Sequence, residues 1–214
     1  MPCTIEIHDT ALTALADGRV LAEVGGFAIV QPRDLLIGSE ADKQRRTFPR
    51  QAVSGFWSRL SMEELPVTGA RARTWADLGY VQLTELWRQA LTAHGDPGPV
   101  IFAVPPQFGR ERLAILLGIA EHCPFEVIGL IDQVVALIAG AAPPLPATVI
   151  DVSLHHAQAV RVEAAPEIVC QQVQLHAECG SLAVQNAWAA HIADQFVRET
   201  RYDPLHDGVS EQQL

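Results

Sequence analysis

Lysine is almost missing from this chain. Lys43 is the only lysine among 15 basic residues, so any chemistry that needs a lysine nucleophile or a catalytic lysine rests on Lys43 or does not occur. Positive charge is scarce altogether: 25 acidic residues against those 15 give a formal net charge of −10 at pH 7. Such a surface repels a phosphate backbone, which disfavours nucleic acid as a partner. The four cysteines, Cys3, Cys123, Cys170 and Cys179, are scattered and form no CxxC pair, so they do not read as a disulfide framework. The nearest approach to a metal pattern is Cys170, His176 and Cys179. It reads more simply as a strand cysteine and a helix-entry cysteine in a reducing compartment. Walker A, GxGxxG, HExxH and GxSxG sequences are all absent. The most apolar stretch, residues 115–142, is interrupted by Glu121, His122, Pro124, Glu126 and Asp132, which excludes a membrane span there. The N-terminus, Met1-Pro2-Cys3-Thr4-Ile5-Glu6, lacks the basic and apolar regions of a secretory signal, and the expected location is the cytoplasm.

What is present is globular. Hydrophobic residues make up 49% of the 214 and charged residues 19%, enough for a packed core. The length exceeds one domain of about 150 residues and falls short of two. Alternation at residues 4–8 and 12–15 predicts two short strands, and Ala16-Asp17-Gly18-Arg19 a hairpin turn, with a returning strand at 20–24. Further short strands are expected at 27–30 and 35–37, then helical character at 39–46. Residues 75–94 carry Leu78, Val81, Leu86 and Ala90 at helical spacing, stopped by Gly95-Asp96-Pro97-Gly98-Pro99. An apolar strand at 100–104, a helix at 110–122, a strand at 125–129 and a short helix at 132–139 follow. After the linker-like Gly140-Ala141-Ala142-Pro143-Pro144-Leu145-Pro146, strands are expected at 147–152, 157–162 and 168–174, then a helix at 181–201. Strand–helix alternation with continuous apolar runs argues α/β layers. Three strands, then helix, strand, helix, strand, helix, followed by a restart, suggests an internal duplication whose second copy is cut short.

That order resembles the ATPase fold shared by actin, sugar kinases and the heat-shock 70-kilodalton chaperones, with the chaperones closest. The resemblance is carried by Val100-Ile101-Phe102-Ala103-Val104-Pro105-Pro106-Gln107-Phe108 with its arginine-containing helix, by Phe125 to Leu137, and by Leu36-Ile37-Gly38-Ser39-Glu40-Ala41. It is carried too by Val149-Ile150-Asp151-Val152-Ser153 and by Gly180-Ser181-Leu182 with the helix that follows. The implied fold is α/β: a ribonuclease-H-like mixed sheet flanked by helices at residues 1–143, and the start of a second copy at 144–214. The implied ligand is ATP with magnesium, held by two hairpin loops. Those loops need glycines so that backbone amides can approach phosphate closely.

Here the loops depart from the pattern. The first reads Glu6-Ile7-His8-Asp9-Thr10-Ala11, without glycine. Hairpin spacing puts Glu6 in the family's acidic position; local pattern puts Asp9 there. The second reads Asp151-Val152-Ser153-Leu154-His155-His156, again without glycine. The family's lysine has no counterpart in residues 47–59, where Arg59 is the candidate positive charge, and arginine does not substitute freely at a positioned site. Residues implied around a magnesium nucleotide are Glu6, His8, Asp9, Thr10, Arg59, Asp132, Asp151, Ser153, His155 and His156. Two readings stand side by side: an ATP-binding and ATP-hydrolysing chaperone-like protein whose site needs further residues, and a non-catalytic regulatory or interaction module. A third use of His8, His155 and His156, as ligands of phosphate or a divalent metal, competes with their being solvated hairpin residues.

Phe56, Trp57, Trp75, Trp87 and Trp188 are expected in the core, and residues 199–203 at a solvated helix end. The terminal Ser210-Glu211-Gln212-Gln213-Leu214 looks like the start of another helix, which suggests a longer natural protein. An unpaired strand edge in the second copy suggests a homodimer.

Overall fold

In the computed structural model of the chain, residues 2–69, 71–164 and 166–214 are described. The chain opens with an antiparallel meander of β1 (Cys3–Ile7), β2 (Ala11–Ala16) and β3 (Arg19–Gly25). The β2–β3 turn has Asp17 at φ 52° and Gly18 at φ 71°, the two left-handed residues that suit the twist of a tight hairpin. Next come β4 (Phe27–Val30), β5 (Leu35–Ile37), the one-turn helix α1 (Ser39–Asp42) and β6 (Ala52–Ser54). These strands form a small antiparallel sheet in the order β5-β4-β6. The helical stretch expected at 39–46 ends at Asp42, and β6 had no alternation long enough to announce it.

Helix α2 (Trp75–His94), β7 (Val100–Val104), α3 (Arg110–Ala120) and β8 (Val127–Asp132) complete the first layer. Its sheet has the order β3-β2-β1-β7-β8, with β7 parallel to β1 and β8 parallel to β7. One face of β1 buries Cys3, Ile5 and Ile7 completely; α2 packs across β2 and β3 and beside α3. A capping box starts α2: Thr74 accepts from the Asp77 amide while the Asp77 carboxylate accepts from the Thr74 amide. Gly95, at φ 78°, ends it. Its buried face carries Trp75, Leu78, Leu83, Leu86, Trp87 and Ala90, each large side chain contributing about 1.5–3 kcal/mol by leaving water. Buried Gln82 is fully paired: it accepts from Trp57 Nε1 (2.6 Å) and donates to the carbonyls of Val24 and Gly25 (2.8 and 2.9 Å), as an interior amide must.

Helix α4 (Gln133–Ala141) leads to β9 (Ala147–Val152), β10 (His156–Ala164) and β11 (Ile168–Ala177), an antiparallel sheet ordered β11-β10-β9. Val134 and Ile138 of α4 pack with Val160 and Val162 of β10 in a second, smaller core. Because α4 also touches β7 and β8, it lies between the two sheets. Helices α5 (Ser181–Thr200) and α6 (Gly208–Gln212) end the chain. Phe56, Trp57, Trp75 and Trp87 are buried as expected, but Trp188 is 62% exposed. The reason is that α5 lies against neither sheet along its length and buries only Ala193. The architecture is thus α/β: one mixed five-stranded sheet, two small antiparallel sheets, and helices. No helix among the described residues is long and apolar enough to cross a membrane.

Candidate functional site

Five segments meet in a narrow crevice: the loop after β1, Trp57-Ser58 after β6, the β7–α3 connection, the start of α4, and the β9–β10 turn. Its lining includes His8, Asp9, Gln107, Gln133, Asp151 and Gln158. The loop after β1 is placed by an unusually close approach. At Gly26 a side-chain Cβ would stand 1.9 Å from the Asp9 carbonyl oxygen, so only glycine lets β4 begin there.

His8 and Asp151 tie the first sheet to the second, with His8 Nε2 3.3 Å from both carboxylate oxygens. The Thr10 amide donates to His8 Nδ1 (3.3 Å), so the neutral ring carries its proton on Nε2 and donates it to Asp151. Burial opposes the imidazolium more than any other single influence. The hydrogen bond and charge of Asp151, with the charges of Glu6 and Asp9, outweigh it and raise the His8 pKa. The His8 hydrogen bond in turn lowers the Asp151 pKa against burial, helped by Gln158 Nε2, which donates to Asp151 Oδ2 at 2.9 Å.

Asp9 is buried and accepts from the Ser58 amide through Oδ1 (2.9 Å). Of the two candidates for the acidic position, Asp9 lines the crevice and Glu6 does not. Glu6 lies on β1, half-buried, opposite the core face of Ile5 and Ile7. Ser153 is buried and folds the β9–β10 turn upon itself, its amide and hydroxyl both donating to the His156 carbonyl (2.9 and 3.0 Å). His156 lines the crevice with Nε2 3.4 Å from Gln107 Nε2, and burial pushes its pKa down.

The other expected residues point elsewhere. His155 turns toward β6, its Nε2 3.0 Å from Ser54 Oγ, and burial lowers its pKa as well. So the three imidazoles do not converge: only His8 and His156 line the crevice. Arg59 is exposed and stacks over Trp75 at 5.3 Å, an attraction to the ring face that takes it off the crevice wall. Asp132 caps α4, accepting from the amides of Val134 and Val135. Thr10 is exposed and contributes its amide to His8.

Magnesium triphosphate does not fit this arrangement. The crevice has a volume of about 10 Å³, the space of one water-sized body. A helix N-terminus offers an anion its unpaired amides, but at α5 these are taken: Ser181 N donates to Ser153 O (2.9 Å) and Leu182 N to Leu154 O (3.0 Å). Among the described residues, no group of three or more His, Cys, Asp and Glu is placed to hold a metal ion. The residues that sequence reasoning passed over are Gln107, Gln133 and Gln158, amides that form no motif and carry no charge. No protein-family model matches the chain, and none of the curated proteins matches it either.

Proposed function

We propose that this chain is a non-catalytic protein-interaction module built on a ribonuclease-H-like half of an actin-like, heat-shock-chaperone-like ATPase fold, with residues 144–214 beginning a second half. The order of elements supports the architectural part: the β1–β3 meander, then the small β4-β5-α1-β6 unit, then helix, strand, helix, strand, helix (α2 to α4), and then three strands followed by helices α5 and α6. The observation that carries the functional part is the crevice itself. Where a nucleotide would lie, Trp57, His156, Gln107 and Gln158 close the space to about 10 Å³, and the α5 amides are already paired. Calorimetric titration of magnesium ATP tests it. No heat of binding is expected; micromolar binding that Asp151→Ala abolishes would overturn the reading.

The partner we favour is a second copy. The β9 edge is free among the described strands, and Ile150 on it is 75% exposed, with no lysine or proline between residues 147 and 152 to blunt pairing. Sedimentation should show a dimer that Ile150→Lys returns to monomer; a compact monomer at high concentration would refute self-pairing. The competing reading, an ATP-hydrolysing protein completed by residues outside this chain, draws on Asp9 and Asp151 lining one crevice. Binding of ATP by a longer natural form would favour it.

A further inference from the structure

Helix α5 lies on the surface but lacks the charge of a surface helix. It buries Ala193 alone, yet from Ser181 to Ala193 it carries no Asp, Glu, Lys or Arg. It presents instead Val184, Trp188, Ile192 and Phe196 at four-residue spacing, all exposed except the half-buried Ile192. A helix facing water turns charged and polar residues outward and keeps such a stripe for a packing partner. More than half of the large apolar side chains left exposed among the described residues lie in residues 144–214, a third of the chain.

The amount of open surface sets the size of the partner. The chain exposes 12085 Å², whereas a compact monomer of this mass exposes about 9,700 Å². The excess of about 2,400 Å² lies at the upper end of what one subunit of an obligate homodimer covers, about 1,000–2,500 Å². A small molecule or one docked peptide covers too little. Charge selects the kind of partner. Two copies of a chain with net charge −10 repel where their charged faces meet, and the uncharged face of α5 is where they can approach. A basic protein would be drawn to the acidic surface elsewhere.

We infer that α5 is the main contact of a two-fold homodimer, its stripe of Val184, Trp188, Ile192 and Phe196 packing against the same stripe of another copy. An i±4 ridge packs into the matching groove of an identical helix, and a two-fold axis makes the contact self-complementary. Beside the stripe opens a cavity of about 340 Å³, lined in part by Val184, Trp188, Ala189, Ile192 and Leu214. It gives an aromatic side chain of the other copy a pocket to fill, the form that interface anchors take. The inference rests on the second-copy reading above and adds to the β9 edge a separate surface that can be tested by itself.

The test is sedimentation equilibrium of the full chain beside three variants. Wild type should be a dimer, and Trp188→Glu and Phe196→Glu should each weaken it about thirtyfold or more. Both positions are exposed in the monomer, so both variants should fold. Trp188 is the one exposed indole of four; diluting wild type to monomer should therefore shift tryptophan emission to the red, a change that Trp188→Phe removes. Ile150→Lys separates the two surfaces. A dimer lost in the α5 variants and kept in Ile150→Lys supports the inference and sinks pairing through β9; loss in all three supports both. A dimer that survives both α5 variants but not Ile150→Lys overturns the inference and leaves β9 pairing standing. A monomer at high concentration, open-ended assemblies in place of a dimer, or emission that ignores dilution across the dissociation range would each overturn it as well.

Discussion

Helices α2 and α5 have the same length, 20 residues, and opposite fates. A capping box opens α2, which buries nine residues against the first sheet and α3; α5 has no side-chain cap and buries one. Both carry tryptophan, leucine and alanine at helical spacing. Apolar content therefore fills a core only where a partner surface is present to receive it. The first sheet supplies one through β2 and β3. The second sheet presents its covered face to α4 and leaves α5 attached near its N-terminus: at the β9–β10 turn and by Arg45 and Arg46, which bond Gln185 and Asn186.

The contrast is sharpest where a side chain is deleted. Leu86→Ala, at a fully buried position of α2, should cost about 2–5 kcal/mol in urea unfolding, whereas Trp188→Ala on α5 should stay within about 0.5 kcal/mol for the monomer. Equal losses would mean that α5 is packed in solution. Gly26→Ala should cost about 1–3 kcal/mol, because a Cβ meets the Asp9 carbonyl; the same change at Gly140, with open space around it, should be near neutral. Thr74→Ala should lose about 1 kcal/mol through the capping box of α2, a device α5 does not possess.

The smallest effect concerns the seam between the two sheets. The raised pKa of His8 gives a contribution that is full below its ordinary value of 6.5 and lost as pH rises through the folded-state value. His155 and His156 have lowered pKa values, so their contribution is present above 6.5 and lost as pH falls through their folded-state values. His8→Asn should therefore lower the unfolding free energy in urea most at mildly acidic pH, by under about 1 kcal/mol for a partly exposed pair, and least above pH 8. A loss independent of pH would remove the ion pair as its cause.

Local chemistry was legible in advance. The Asp17-Gly18 turn, the stop at Gly95 and the apolar strand at Val100–Val104 each follow from a few adjacent residues. What depends on distant partners was not. Gln82 is buried because Trp57, Val24 and Gly25 come to it, and nothing in its own neighbourhood announces that. Trp188 has the pattern of a core residue without a core to enter. At the crevice, the charged and titratable groups His8, Asp9 and Asp151 could be singled out by type. The glutamines could not, since an amide becomes informative only when its burial and partners are known. In the sequence Arg59 is the candidate positive charge of the site, because the indole of Trp75, sixteen positions later, is invisible as a competitor until the chain folds.

The parallel pairing of β1 and β7 has a consequence for synthesis. Cys3 stands opposite Val100, so the inner edge of the first strand stays open until nearly half the chain has left the ribosome. The meander of β1 to β3 forms from local contacts and can appear at once, but the sheet cannot close around its centre before β7 arrives. During that interval Ile5 and Ile7 stay beside an unfilled edge, the kind of transiently unpaired strand that exposes a folding chain to aggregation.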